Sequence, residues 1–156
     1  MVETYLSLGS NLGYKEENLD KAVEAIKECV GTITKSSGYY YTEPWKMAST
    51  NTFVNAVIVV ETELSPLSLL FTLQDIEREL GRTNKTRQGI YEDRIIDIDI
   101  LIYGKLKIET YELTIPHPLM WQRPFIMRGM ALIDPRFIEE DFQKSFYGET
   151  QNTQTN

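Results

Sequence analysis

Residues 2–8 alternate polar and apolar positions and run into Gly9-Ser10-Asn11-Leu12-Gly13, which predicts a strand followed by a turn. From 16 to 30 the period changes. Leu19, Ala22, Val23, Ile26, Cys29 and Val30 recur at helical spacing and Gly31 stands where a helix would stop, so the segment predicts an amphipathic helix with Cys29 on its core face. Residues 33–41 and 53–61 are rich in β-branched and aromatic side chains and predict two further strands. Ser65-Pro66 is a capping residue followed by a first-turn proline. A second helix is expected over 67–80, with Leu69, Leu70, Leu73, Ile76 and Leu80 as its buried stripe. Residues 94–103 predict a fourth strand.

Strand, helix, strand, strand, helix, strand is the split βαβ order of a ferredoxin-like α+β sandwich, in which helices cover one face of an antiparallel sheet. A short extra strand near 107–109, a turn at Ile115-Pro116-His117-Pro118 and a short helix near 125–132 extend it. The expected organisation is one domain over 1–143 and a loose polar tail over 144–156.

The bulk numbers agree with a single domain. The chain has 156 residues, 42% hydrophobic and 25% charged, with 9 Gly and 6 Pro, which is ordinary globular usage. A formal net charge of -7 disfavours nucleic acid and anionic membranes as partners, so any phosphate site must be a local basic cluster. No apolar run approaches the roughly twenty residues that cross a bilayer. With no export pattern at the amino terminus and one cysteine, the chain is expected in the cytoplasm.

Asp97 and Asp99 stand two apart in the fourth strand, so the pleat directs both carboxylates to one face while Ile96, Ile98 and Ile100 take the other. Two close carboxylates repel and lose hydration, and a divalent cation resolves both penalties. Few hard oxygen ligands with open positions suit magnesium that also holds substrate phosphates. Two aspartates on a solvated sheet face is the alternative reading of such a pair alone. Residues 81–93 form a connection of about thirteen residues, longer than usual and hence a candidate functional loop. Arg82, Lys85, Arg87 and Arg94 line it, with Arg123 and Arg128 further on. Arginine forks match phosphate oxygens, although a solvated basic loop reads equally from composition. Thr42-Glu43-Pro44-Trp45 and Phe53-Val54-Asn55 place aromatics beside an amide, as a flat heteroaromatic ligand needs and as core packing also produces. His117, between two prolines, reads as a turn residue or as a phosphate or hydroxyl contact.

Taken in order, Leu8-Gly9-Ser10-Asn11-Leu12-Gly13, Tyr41-Thr42-Glu43-Pro44, Phe53-Val54-Asn55-Ala56, Gln74-Asp75-Ile76-Glu77 with Gly81-Arg82, Asp93-Arg94-Ile95-Ile96-Asp97-Ile98-Asp99-Ile100-Leu101, and Ile115-Pro116-His117-Pro118 with Arg123 and Phe125 closely resemble one family. It is the 6-hydroxymethyl-7,8-dihydropterin pyrophosphokinase family of folate biosynthesis, and the resemblance spans nearly the whole folded chain. It implies transfer of the terminal diphosphate of ATP to the pterin hydroxymethyl group with release of AMP, and two magnesium ions on Asp97 and Asp99. It further implies that Asp97 orients or deprotonates the hydroxyl. The resemblance places Thr42, Glu43, Pro44, Trp45, Phe53, Asn55 and Phe125 around the pterin. Leu70, Gln74, Glu77, Ile98, Leu113, Thr114, His117 and Arg123 fall around ATP, with Arg82 and Arg94 approaching its phosphates. The family pattern departs inside the loop, where a tryptophan flanked by arginines is replaced by a longer stretch. There Lys85 or Arg87 is the candidate phosphate contact and Tyr91 the candidate ring, on a lid expected to close over ATP. The resemblance implies small-molecule partners only, and a monomer is expected. Two other readings share the same sheet: a nucleotidyl transferase of palm or cyclase type, and a non-catalytic module that binds a metabolite.

Overall fold

The computed structural model describes residues 1–43, 51–81 and 95–146. Its elements are β1 (Val2–Ser10), α1 (Lys15–Cys29), β2 (Gly31–Ser36), β3 (Tyr40–Thr42), β4 (Phe53–Thr62), α2 (Pro66–Glu79), β5 (Asp97–Tyr103), β6 (Ile108–Glu109), β7 (Thr114–Ile115), α3 (Pro124–Ile133) and α4 (Glu140–Ser145), with 3-10 turns at Met120–Gln122 and Pro135–Ile138. The main sheet runs β2-β4-β1-β5 and every neighbouring pair in it is antiparallel. That order is the one a split βαβ pair produces, so the expected α+β class holds. Among the described residues no helix is long and apolar enough to cross a membrane.

Several boundaries differ from the sequence expectation for physical reasons. The single strand expected over 33–41 is two, β2 and β3, which pair with different stretches of β4. Gly38 between them has φ +75°, outside the extended region, and its N–H donates to Ser36 Oγ. At the other edge, Gly9 and Ser10 belong to β1 and not to a turn, because they pair with Asn55 and Val54. β5 starts at Asp97, with Ile96 already fully buried before it. Cys29 is exposed rather than on the core face of α1. The stripe Leu19, Ala22, Ile26 continues one full turn on to Val30, which takes the buried place. The fold continues past the expected boundary at 143, since α4 reaches Ser145 and the Phe146 ring packs against Phe137 and Phe142.

Two cores result. Leu6, Leu8, Val54, Ala56, Ile58, Ile98 and Ile100 face α1 and α2, where Leu19, Ala22, Ile26, Leu69, Leu73 and Ile76 cover them. The opposite face was not expected to be covered. Its far half is apolar, with Tyr5, Val57, Val59 and Ile102, and α3 and the C-terminal turns close it with Met120, Ile126, Met127, Met130 and Phe137. The register of β1 against β5 slips between Tyr5 and Leu6, which pair with Ile102 and Ile100, so Leu101 is an extra residue. That bulge lets Leu101 and Ile102 both join the second core while Ile98 and Ile100 stay in the first. The near half of the second face is polar and left open, and the site lies there.

Candidate active site

Three neighbouring strands build the floor of the site. Asp97 pairs with Gly9 and Asp99 with Ser7 across β5 and β1, and Gly9 pairs with Asn55 across β1 and β4. Alternation then puts Asp97, Asp99, Ser7, Gly9 and Asn55 on one face. They line a cleft of about 340 Å³. Both aspartates are half-buried and both line the cleft.

Gly9 keeps the floor open. A Cβ there would lie 2.8 Å from Asn55 Oδ1 and 3.5 Å from Phe53 Cδ1, so the amide oxygen occupies the space that any side chain would fill. Asn55, 7% exposed, is held in that orientation by its Nδ2, which donates to Thr42 Oγ1 on β3. Phe53 on β4 and Phe125 at the start of α3 bring two half-buried rings to this end of the cleft, and Thr42 and Glu43 border it.

The other end is built by α2 and β5. Leu70, Gln74 and Glu77 line it from the helix, together with Ile98 from the strand. Glu77 is 4% exposed, and its Oε2 accepts the main-chain N–H of Ile98 at 2.6 Å. His117 and Arg123 complete the rim. The main-chain N–H of His117 donates to Leu101 O at 3.0 Å, which fixes the segment against β5. Burial, helped by the Arg123 charge and opposed by Asp97, lowers the His117 imidazole to about 4, so it is neutral at physiological pH. Arg123 also lies 5.9 Å from the centre of the Phe125 ring.

Leu113 and Thr114, expected near ATP, do not line the cleft. Leu113 is packed into the first core and Thr114 pairs with Glu109 in the β6–β7 hairpin. Arg128 is also absent from it, because its Nη1 donates to Tyr41 O on the outer surface. Pro44, Trp45, Arg82, Lys85, Arg87, Tyr91 and Arg94 lie outside the described residues. Sequence reasoning passed over Ser7, Gly9 and Tyr40 as site residues. Gly9 and Ser7 could have been found by carrying the Asp97–Asp99 face across the sheet, whereas Tyr40 carries no local signal.

The donor set fits a hard divalent cation. Asp97 and Asp99 offer two carboxylates on one face of a cleft open to phosphate oxygens, and among the described residues no three His, Cys, Asp or Glu side chains form a closed cage. Two such oxygen donors leave room for water and substrate oxygens around a hard cation.

Residues 5–135 match the family described as 7,8-dihydro-6-hydroxymethylpterin-pyrophosphokinase (HPPK). A 2-amino-4-hydroxy-6-hydroxymethyldihydropteridine pyrophosphokinase of Porphyromonas gingivalis is 46% identical over 136 residues, covering 86% of this chain and 92% of that protein. One of the same name from Bacillus subtilis is 39% identical over 130 residues, covering 83% and 76%. The fold is also that of a Plasmodium falciparum HPPK-DHPS crystal structure, with a TM-score of 0.70 at 17% identity over 86% of this chain and 42% of the other. With a family match that takes in the first core and the strands of the cleft floor, and relatives this similar along most of their own lengths, the chain belongs to the 7,8-dihydro-6-hydroxymethylpterin-pyrophosphokinase family.

Proposed function

We propose that this chain is a magnesium-dependent pyrophosphokinase of folate biosynthesis that moves the terminal diphosphate of ATP onto the hydroxymethyl group of 6-hydroxymethyl-7,8-dihydropterin. The carrying observation is the joining, in one cleft, of the Asp97 and Asp99 carboxylates with an Asn55 amide and the Phe53 and Phe125 rings. The relatives named for this activity support the substrate assignment.

In this reading the pterin hydroxyl oxygen bonds to the β-phosphorus of ATP, the bond from that phosphorus to the α–β bridging oxygen breaks, and AMP leaves with the oxygen. Asn55 holds the pterin edge from the floor, and Phe53, Phe125, Thr42 and Glu43, with Pro44 and Trp45, enclose the bicycle. Leu70, Gln74, Glu77, Ile98, His117 and Arg123 hold the nucleotide. Arg82, Lys85 and Arg94 contact phosphates. Asp97 and Asp99 hold magnesium, two ions in all, and Asp97 orients the hydroxyl or takes its proton. Magnesium held there would supply positive charge to offset that of the phosphates during transfer. Because Asn55 and the aspartates sit on fixed strands, positioning supplies much of the rate. The enzyme acts as a monomer in the cytoplasm, on small molecules and neither nucleic acid nor membrane.

The test is product identity. Purified protein with ATP, magnesium chloride and the pterin should give AMP and the pterin diphosphate by chromatography, with no product after chelation by EDTA. ADP or free pyrophosphate as the nucleotide-derived product, or turnover without a divalent cation, would overturn the reading.

A further inference from the structure

β3 and the first turn of α3 meet at one hydroxyl. Tyr40 is 5% exposed, its side chain borders the cleft, and its hydroxyl donates to the main-chain carbonyl of Phe125 at 2.6 Å. The approach is possible because Gly129 has no side chain: a Cβ there would lie 2.4 Å from Tyr40 Oη. Arg128 closes the same seam from outside, with its guanidinium carbon 5.0 Å from the Tyr40 ring centre and Nη1 donating to Tyr41 O at 2.9 Å. Burial raises the phenol to about 12 against the opposing pull of the Gly129 N–H and the Arg128 charge, so the hydroxyl keeps its proton at physiological pH.

We propose that Tyr40 is a positioning residue for the pterin end of the cleft: by tying the Phe125 main chain to β3, its hydroxyl sets the gap between the Phe125 ring and the sheet. This rests on the assignment of Phe125 to the pterin above. β3 pairs Tyr40 with Asn55 and Thr42 with Phe53, so one three-residue strand carries the tie at one end and the hydroxyl that orients Asn55 at the other. A shift of α3 against β3 changes the slot for a flat two-ring ligand. It leaves Leu70, Gln74 and Glu77 on α2, the nucleotide wall, where they are. The consequence is a selective effect on one substrate.

Tyr40→Phe keeps the ring and removes only the hydroxyl. Steady-state kinetics with each substrate varied should show the pterin KM raised about tenfold, the size of one lost hydrogen bond, with the ATP KM and kcat within about twofold of the parent. A crystal structure of the variant should show Phe125 displaced by more than about 0.5 Å, the tolerance of a preorganised site. An unchanged pterin KM with Phe125 in place overturns the proposal, and so does an equal loss for both substrates, which marks general loosening. Should the parent chain fail to use the pterin at all, the functional reading falls, while the position of Phe125 in the variant still decides the tie.

Discussion

The main-chain N–H of Ile98, the residue between Asp97 and Asp99, donates to the buried carboxylate of Glu77 at 2.6 Å. Among the described residues β5 is an edge strand, and this N–H points to the helix, away from β1. A helix side chain thus closes the edge at the point where the paired carboxylates must share a direction. Glu77→Ala should destabilise the fold by about 1–3 kcal/mol, because the donor loses its partner in a buried place. Glu77→Gln keeps an acceptor and should cost less than Ala. Urea unfolding at equal slope measures both, and an Ala variant as stable as Gln would show that the contact contributes nothing.

Asp97→Asn and Asp99→Asn keep shape and remove charge from one face of β5. Each should lower kcat at least about 10²-fold, since an electrostatic ligand to transferring phosphates is lost. Circular dichroism should be unaltered, because both side chains are only half-buried at the cleft. Full turnover in either variant at saturating magnesium would remove that residue from the cation site.

Gly9→Ala places a Cβ 2.8 Å from Asn55 Oδ1. The Asn55 amide must move or turn, and turning breaks its bond to Thr42 Oγ1. The pterin KM should rise about tenfold or more, as expected for a misplaced buried polar contact. Nucleotide binding at the α2 end should persist, and fluorescence titration with each ligand separates the two.

His117 links stability to acidity. Its imidazole is lowered from 6.5 in the unfolded chain to about 4 in the fold. Between these values the unfolded state binds more protons, so stability is full above about 6.5 and falls as pH drops toward 4. Solvent contact at the half-buried ring limits the loss to about 1–2 kcal/mol. His117→Gln, which cannot titrate, should flatten this limb in thermal unfolding between pH 4 and 7. An identical slope in parent and variant would assign it to other groups.

Much of this was legible in the sequence where one side chain answers to one period. The alternation around Asp97 and Asp99 located the carboxylates because a strand repeats every two residues and both neighbours are isoleucine. The stripe of α1 failed at Cys29 because 3.6 residues per turn allows either 29 or 30 after Ile26, and Val30 won the buried place. The break at Gly38 needed a positive φ that alternation does not encode. Gly9 reads as part of a turn because a site floor made by a missing side chain leaves no periodic mark. The cover on the second face depended on the bulge at Leu101, a property of pairing between distant strands that no local window contains.

Gly129 tests the seam between α3 and the sheet from the helix side. Intrinsic helix propensity favours Ala over Gly by about 0.8–1 kcal/mol, so Gly129→Ala would stabilise an isolated helix. In the fold, the new Cβ would sit 2.4 Å from Tyr40 Oη and 2.5 Å from Val57 Cγ2. Val57 belongs to the central strand β4 and is fully buried, so it has nowhere to retreat. Overpacking of this kind costs about 1–3 kcal/mol, which exceeds the propensity gain. The net effect should therefore be destabilisation of about 1–2 kcal/mol, read as a lower midpoint in urea. A variant more stable than the parent would mean that α3 can lift from the sheet without penalty, and the tie between Tyr40 and Phe125 would then have little hold on the cleft.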